Sequence, residues 1–238
     1  MGMMLPTSPG PGAAGEDKQY NAARQALVEQ IRLRVRESRY FLGKSKLEDP
    51  VIAAVAAVPR HEFVPEDMRH LAYENHPLPI GHDQTISQPS LVAIMTDMLE
   101  LRPDSRVLEV GTGSGYQAAI LAEICASVYS IEIVEPLGRQ AAALLDRLGY
   151  DNVNVRIGDG YAGWPEHAPF DGIIVTAAAD EPPEPLVEQL RPGGRMVIPL
   201  RRAIGFQDLV IIEKTKDGKV SQHTVFPVMF VPFTRDDD

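Results

Sequence analysis

The sequence predicts an α/β protein. A mostly parallel sheet is flanked by helices, carries an antiparallel hairpin at its C-terminal end, and is preceded by a helical segment. Three observations predict it. From Arg106 onward, short apolar β-rich runs alternate with helical periodicities, the pattern of a parallel sheet covered on both faces. The first such run, "RVLEV", ends in a glycine loop, "GTGSG", that opens a helix. Near the C-terminus, "QDLVIIEK" and "KVSQHTVF" flank a turn at Asp217-Gly218, which reads as a hairpin and adds an antiparallel edge.

In chain order, residues 1–19 are rich in Pro, Gly and Ala and read as a disordered tail. A helix is expected over Tyr20 to Arg39, with Leu27, Ile31 and Val35 on one stripe. A second starts at "EDPVIAAVAAVP", with Asp49 as N-cap, Pro50 in the first helical position and Pro59 as the stop. A short helix follows Pro65, and another covers roughly Ser90 to Leu101. No strand is expected in this front part. Strands then fall on "RVLEV", "SVYSIEI", "NVNVRI" and "FDGIIVT", and "RPGGRMVIPL" reads as a turn into a strand. Helices fall on "YQAAILAEIC", "EPLGRQAAALLDRLG", closed by Gly149, and "PEPLVEQL". The expected organisation is one domain: a tail (1–19), a helical substrate-side segment (20–101), a cofactor-binding α/β core (102–200), and a hairpin with a terminal tail (201–238).

The chain has 238 residues and a formal net charge of −10, from 33 acidic and 23 basic residues. An acidic protein gets no global help in approaching a phosphate backbone, and the arginines 32, 34, 36 and 39 are spread around a helix. No nucleic-acid partner is therefore expected. The single cysteine, Cys125, lies in an apolar run and reads as a buried inert thiol. Absent disulfides suit a reducing cytoplasm. No window is long enough to span a membrane, and the N-terminus does not have the pattern of a secretory signal. A monomer is expected.

The glycine loop places Gly111, Gly113 and Gly115 between strand and helix, where bare backbone can approach a ligand closely. Glu132 follows Gly111 by 21 residues, at the end of the second strand, where a carboxylate can accept both hydroxyls of a ribose. Position 116, which the dinucleotide pattern gives to glycine, is Tyr116. Glu109, just before the loop, suits a cofactor with a positive amino group better than one with phosphates. S-adenosylmethionine carries an ammonium and a sulfonium. Asp159, after the third strand, can bond an adenine amino group or be a plain turn residue.

The stretch "GHDQTISQP", residues 81–89, leaves three readings for Ser87: nucleophile, helix cap or substrate ligand. Nothing nearby would activate it as a nucleophile. The cap reading rests on the following Gln88-Pro89.

Together, "VPRHEFVPEDMRHLAYENHPLPIGHDQTISQP", "VLEVGTGSGYQAAILA", "IGDGYAGWP", "FDGIIVTAAA", "LRPGGRMVIPL" and "FVPFT" closely resemble the bacterial-type protein-L-isoaspartate (D-aspartate) O-methyltransferases, over about Tyr20 to Thr234. The resemblance implies a class I, Rossmann-like methyltransferase fold. It implies methyl transfer from S-adenosylmethionine to the free carboxyl of L-isoaspartyl residues in damaged proteins, D-aspartyl residues being a further acceptor. The ester then collapses to a succinimide, which opens partly to normal aspartate. By the same resemblance Ser87 orients the acceptor carboxylate as the active-site serine. Ile80, Gln84, Thr85, Ile86 and Thr234 meet the substrate. Glu109, Gly111, Thr112, Gly113, Ser114, Gly115, Glu132, Ile133, Asp159, Gly160 and Thr176 meet the cofactor.

The chemistry agrees with these residues. A carboxylate with a pKa near 4 is already ionised at pH 7 and needs no base. The sequence has no Ser-His-Asp order and no metal-ligand spacing, so no metal is expected. Thr176-Ala177-Ala178-Ala179 stands where amino-group methylation of a nucleic acid base would want a D/N-P-P-Y/F tetrad. Two other readings remain: a methyltransferase for a small molecule or RNA, and a non-catalytic S-adenosylmethionine-binding protein.

Overall fold

The alternating runs after Arg106 build one seven-stranded sheet. The computed structural model of the protein describes residues 13–202 and 205–235. The central strands are β3 (Arg106–Val110), β4 (Ser127–Glu132), β5 (Val153–Ile157), β6 (Phe170–Val175) and β7 (Leu190–Arg201), followed by β8 (Gln207–Lys214) and β9 (Val220–Val228). Their order is β5-β4-β3-β6-β7-β8-β9. Pairing is parallel from β5 to β7 and antiparallel for β7–β8 and β8–β9. The chain moves outward from β3 through β4 to β5, then returns to the other side of β3 at β6. That reversal leaves a crevice at the carboxyl ends of β3, β4 and β6, the general place for ligands in such sheets.

Side-chain alternation divides the core in two. Val107 faces a layer with Val92, Ala118 and Leu121, from α4 (Pro89–Met98) and α5 (Tyr116–Ala122), while Leu108 and Val110 face Leu186 of α7 (Glu184–Gln189). The remaining crossover helix, α6 (Glu135–Leu148), buries Leu137, Ala141 and Leu145 and ends at Gly149 with φ 83°. That is the left-handed closure the sequence predicts.

In front of the sheet lie α1 (Ala13–Glu37), α2 (Arg39–Leu42) and α3 (Asp49–Ala57). The expected stripe on α1 is buried: Leu27 is 1% exposed, and Ile31 and Val35 are 0% exposed. The helix begins at Ala13, inside the segment expected to be a disordered tail; residues 1–12 lie outside the described residues. Asp49 is the first helical residue of α3 rather than its cap. The cap is Glu48, whose N–H donates to Asp97 Oδ1 at 2.7 Å. The helix after Pro65 is a 3₁₀ turn over Glu66–Leu71.

One element is unanticipated. β1 (Leu78–Gly81) and β2 (Gln84–Ile86) form a small antiparallel hairpin. Its two turn residues, His82 and Asp83, have φ of 52° and 57°. A two-residue turn with both centres left-handed matches the twist of a hairpin. The usual Asn-Gly signal is missing, so the sequence reads there as a polar loop.

Gly138 of α6 yields a prediction about packing. Glycine to alanine in a helix interior ordinarily stabilises by about 0.5–1 kcal/mol. A Cβ here would stand 2.3 Å from Ile157 Cδ1 and 3.1 Å from Glu132 Cβ. The Ile157 methyl can swing aside. The Glu132 side chain is held by two hydrogen bonds and cannot. Gly138→Ala should therefore destabilise by about 1–3 kcal/mol, read as a lower urea midpoint at unchanged slope. A higher midpoint would show that α6 moves off the sheet without loss.

Candidate active site

The crevice holds a cleft of about 810 Å³, its solvent-open mouth included. The loop after β3 makes its floor through Gly111, Thr112, Gly113 and Ser114, the exit of β4 supplies Glu132, Ile133 and Val134, and Thr176 closes the side after β6. Gly111 has φ 96°, and a Cβ there would meet Thr176 Oγ1 at 2.3 Å. Only glycine lets the loop pass so close to Thr176, whose hydroxyl donates to Gly111 O at 2.7 Å.

Glu132 is 5% exposed. Its Oε2 accepts from Gly113 N–H at 2.7 Å and its Oε1 from Val134 N–H at 2.9 Å. The carboxylate thus joins the two loops while keeping lone pairs free for ligand hydroxyls. Among the residues lining the cleft there is no Lys or Arg, and the titratable ones are Glu132 and Tyr116. A pyrophosphate would find no counter-charge. A cationic nucleoside finds a carboxylate between apolar walls of Ile131, Ile133, Val134 and Phe233.

Ser87 sits between β2 and α4 and lines this cleft as well as a second, broader groove. The cap reading of Ser87 fails: the N-cap of α4 is Gln88, with no side-chain cap bond. The groove, about 2040 Å³ including open solvent, runs past Ser38, Phe41, Leu91, Met229 and Phe230. The cleft and the groove meet at Thr85, Ser87, Thr176 and Val231.

Of the residues expected from the sequence, Gln84, Thr85, Ile86, Ser87, Gly111, Thr112, Gly113, Ser114, Glu132, Ile133, Gly160, Thr176 and Thr234 come together around the cleft. Four do not line it. Gly115 caps α5 with φ 90° and packs against Leu145 and Ala141. Ile80 stands behind Gly113. Asp159 is used by the protein itself, accepting from Tyr161 N–H at 2.8 Å and from Arg235 Nε at 2.6 Å. The Arg235 guanidinium lies 3.7 Å from the Tyr161 ring centroid, so this cluster fastens the chain just beyond Thr234.

Glu109 is the fourth. It shares the parity of Val107 and points into the helix-covered core, fully buried, instead of into the cleft. Ser130 Oγ donates to its Oε2 at 2.5 Å and exchanges a 2.6 Å bond with Thr112 Oγ1. Burial pushes its carboxyl up to about 8, with the Glu132 charge adding and the Ser130 bond opposing. Sequence reasoning missed Tyr116, Gln117, Val134 and Phe233 as lining residues. In the sequence Tyr116 stands out only as a departure from the dinucleotide glycine pattern, although the first residue of the helix after such a loop borders it.

The model of the family described as protein-L-isoaspartate(D-aspartate) O-methyltransferase matches residues 35–238. The chain belongs to that family. It is 57% identical over 208 residues to protein-L-isoaspartate O-methyltransferase 2 of Polaromonas sp., covering 87% of this chain and 99% of the relative. It is 54% identical over 232 residues to the protein of the same description from Syntrophobacter fumaroxidans, covering 98% and 94%. A solved structure from Plasmodium falciparum, described as a protein-L-isoaspartate O-methyltransferase in complex with S-adenosyl-L-homocysteine, superposes with a TM-score of 0.74 at 26% identity, over 90% of this chain and 99% of that one. Family membership makes the class I methyltransferase fold the frame for the cleft. Among the described residues no helix is long and apolar enough to cross a membrane.

Glu109 generates a pH prediction. Its folded pKa is raised above the unfolded value, so between about 4.5 and 8 the folded protein holds a proton that the unfolded chain has lost. Stability is then full at the acidic end and falls as pH rises through that window, by at most ~1.4 kcal/mol per unit. Glu109→Gln keeps the neutral shape and should flatten the decline in ligand-free protein. Urea melts of both forms at pH 5, 6.5 and 8 measure it. Equal slopes would mean that Glu109 is ionised in the folded state.

Proposed function

We propose that this protein transfers a methyl group from S-adenosylmethionine to the free carboxyl of isoaspartyl residues in damaged proteins, which starts their repair. One observation carries the reading: a cation-free cleft and a broad groove with apolar walls meet at Ser87. A nucleoside cofactor fits the first. A polypeptide, entering from solvent, fits the second. When bound, S-adenosylmethionine supplies an electrophilic methyl on its sulfonium.

The residues present fit that group. Glu132 would accept the ribose hydroxyls, the apolar walls of the cleft would take the adenine, and the Gly111–Ser114 backbone would face the amino-acid portion. The acceptor carboxylate is ionised at neutral pH, so no proton has to be removed before attack. The lining offers no histidine, and the Tyr116 hydroxyl is pushed up to about 12 by burial, which keeps it from acting as a base. The protein's work is alignment and exclusion of water. Ser87 bears its hydroxyl where cleft and groove join, and that hydroxyl makes no hydrogen bond to any described residue, so it is available to one carboxylate oxygen. Thr85, Ile86 and the Val231–Thr234 segment wall the junction. The reading includes a monomer in the cytoplasm that acts on protein rather than nucleic acid; the net charge of −10 and the single buried Cys125 support it.

Labelled S-adenosylmethionine offered with an isoaspartyl peptide and with its aspartyl twin tests the function. Label should enter the isoaspartyl peptide alone, and equal labelling would reject the reading. Ser87→Ala should lower turnover by about 10- to 1000-fold, by analogy with loss of one positioned donor. Cofactor affinity and melting temperature should be kept, because Ser87 caps no helix. Glu132→Ala should weaken S-adenosyl-L-homocysteine binding in calorimetry. It should also lower stability by about 1–3 kcal/mol, because two backbone N–H groups lose their acceptor. An unchanged dissociation constant would remove Glu132 from the cofactor site.

A further inference from the structure

Arg60 lines neither cavity, yet it touches the segment on which both depend. It opens the 3₁₀ turn Arg60–Phe63 and is 0% exposed. Its Nε donates to Ala72 O at 2.9 Å, and its Nη2 donates to Ser87 O at 3.0 Å. The guanidinium carbon lies 4.7 Å from the ring centroid of Tyr116, on the cofactor side. Its Nη1 is buried with no hydrogen-bond partner among the described residues. No carboxylate of the described residues pairs with it. A buried cation in this condition is a poor way to stabilise a fold, since an apolar side chain of similar volume would avoid the desolvation cost. The need must lie in what the planar fork can do: grip two carbonyls at once while lying against a ring.

One of those carbonyls belongs to Ser87. The residue follows the last paired residue of β2 and precedes the cap of α4, so neither element's own hydrogen bonds hold its peptide. Its hydroxyl has no partner among the described residues, and Arg60 is the side chain that tethers its backbone. We infer that Arg60 is the positioning residue for Ser87: it fixes the Ser87 peptide relative to Tyr116, and so fixes the acceptor carboxylate relative to the cofactor cleft. The inference rests on the proposed function, because it takes Ser87 to be the residue that orients the acceptor. Tyr116 serves as the anchor for the guanidinium plane. An in-line displacement is sensitive to such placement.

The test is a double-mutant cycle in methyl transfer to an isoaspartyl peptide, with the full chain, at saturating S-adenosylmethionine and per folded molecule. The proteins are wild type, Arg60→Lys, Ser87→Ala and the double variant. Lysine keeps the charge, but its single ammonium cannot bridge two carbonyls and lie flat on a ring. Arg60→Lys should lower kcat by about 10- to 100-fold, the scale of an ångström-sized misplacement. The dissociation constant for S-adenosyl-L-homocysteine should stay near wild type. In the Ser87→Ala background, Arg60→Lys should cost nothing more, because the group being positioned is gone. Losses that multiply in the double variant, or a wild-type kcat in Arg60→Lys, would overturn the inference.

Should Arg60→Lys fail to fold, a backbone ester in place of the Ser87–Gln88 peptide bond weakens the Ser87 carbonyl as an acceptor and leaves Arg60 intact. It should reproduce the fall in kcat, and an unchanged kcat would overturn the inference equally. Wild-type protein that labels neither peptide defeats the functional reading and this inference together. Wild-type protein that labels the isoaspartyl peptide, with multiplying losses in the cycle, defeats the role of Arg60 alone.

Discussion

A single carboxylate holds the site together. Glu132 accepts from Gly113 N–H on one loop and from Val134 N–H on the next, at 2.7 and 2.9 Å. Without it the two loops at the carboxyl ends of β3 and β4 would diverge, each with an unpaired backbone donor facing the crevice. The fold makes this bond possible by running β3 and β4 parallel and in register, from Arg106↔Ser127 to Val110↔Ile131. Both strands therefore release their loops at the same height. Gly138 lets α6 pack against the Glu132 stem, and Gly111 brings the first loop against Thr176. The geometry of the crevice thus depends on two glycines, one leaving room for the Glu132 stem and the other for Thr176.

The electrostatics around that bond are arranged by burial more than by pairing. Glu109 is held close to neutral at pH 7, because its pKa is pushed up to about 8. Arg60 is drawn down to about 10, chiefly by desolvation, and still carries its charge. What remains near the junction is a negative Glu132 in the cleft and a positive Arg60 behind Ser87. A cationic donor in the cleft would meet the Glu132 carboxylate, while Arg60, which lines neither cavity, acts behind Ser87. The uncharged hydroxyl of Ser87 lies between them. Among the residues lining the cleft the titratable ones are Glu132 and Tyr116, and a carboxylate nucleophile is already ionised at neutral pH.

The sheet was legible in the sequence because its signals are local. Alternation, a glycine loop and an Asp-Gly turn each act within about ten residues, and the strands from β3 to β9 fall on their expected runs, except that β7 starts at Leu190 and takes in the stretch read as a turn before it. The misses are long-range or depend on parity. The hairpin of β1 and β2 turns at His82-Asp83, which strands on both sides force into left-handed geometry, and no local preference announces it. Glu109 has the composition of a cofactor ligand, but one residue of strand parity turns it into the core. Asp159 meets Arg235, 76 residues away. Arg60 stands in the segment that carries the family resemblance, yet its role depends on a carbonyl 27 residues on. The expected residues that gather at the cleft stand mostly on the loops leaving the carboxyl ends of β3, β4 and β6, since where those loops lie follows from topology while side-chain direction does not.

The C-terminal hairpin has a topological purpose that follows from counting strands. β7 runs parallel to β3, β8 runs antiparallel to β7, and β9 antiparallel to β8. Two antiparallel strands reverse the chain twice, so β9 ends at the same edge of the sheet as β3, the edge that holds the cleft. One added strand, or three, would deliver the terminus to the opposite edge. From β9 the chain is handed across the site by a series of bonds. Phe230 exchanges hydrogen bonds with the Gln207 side chain, Ala178 N–H donates to Val231 O at 2.8 Å, and Phe233 N–H donates to Ala178 O at 2.9 Å. Arg235 then closes on Asp159. Val231, Pro232, Phe233 and Thr234 thereby become a wall of the cleft. The parallel core alone would leave that side open to water. β7 already ends at that edge, and because the hairpin adds an even number of strands the chain returns to it, where its last residues wall the cleft.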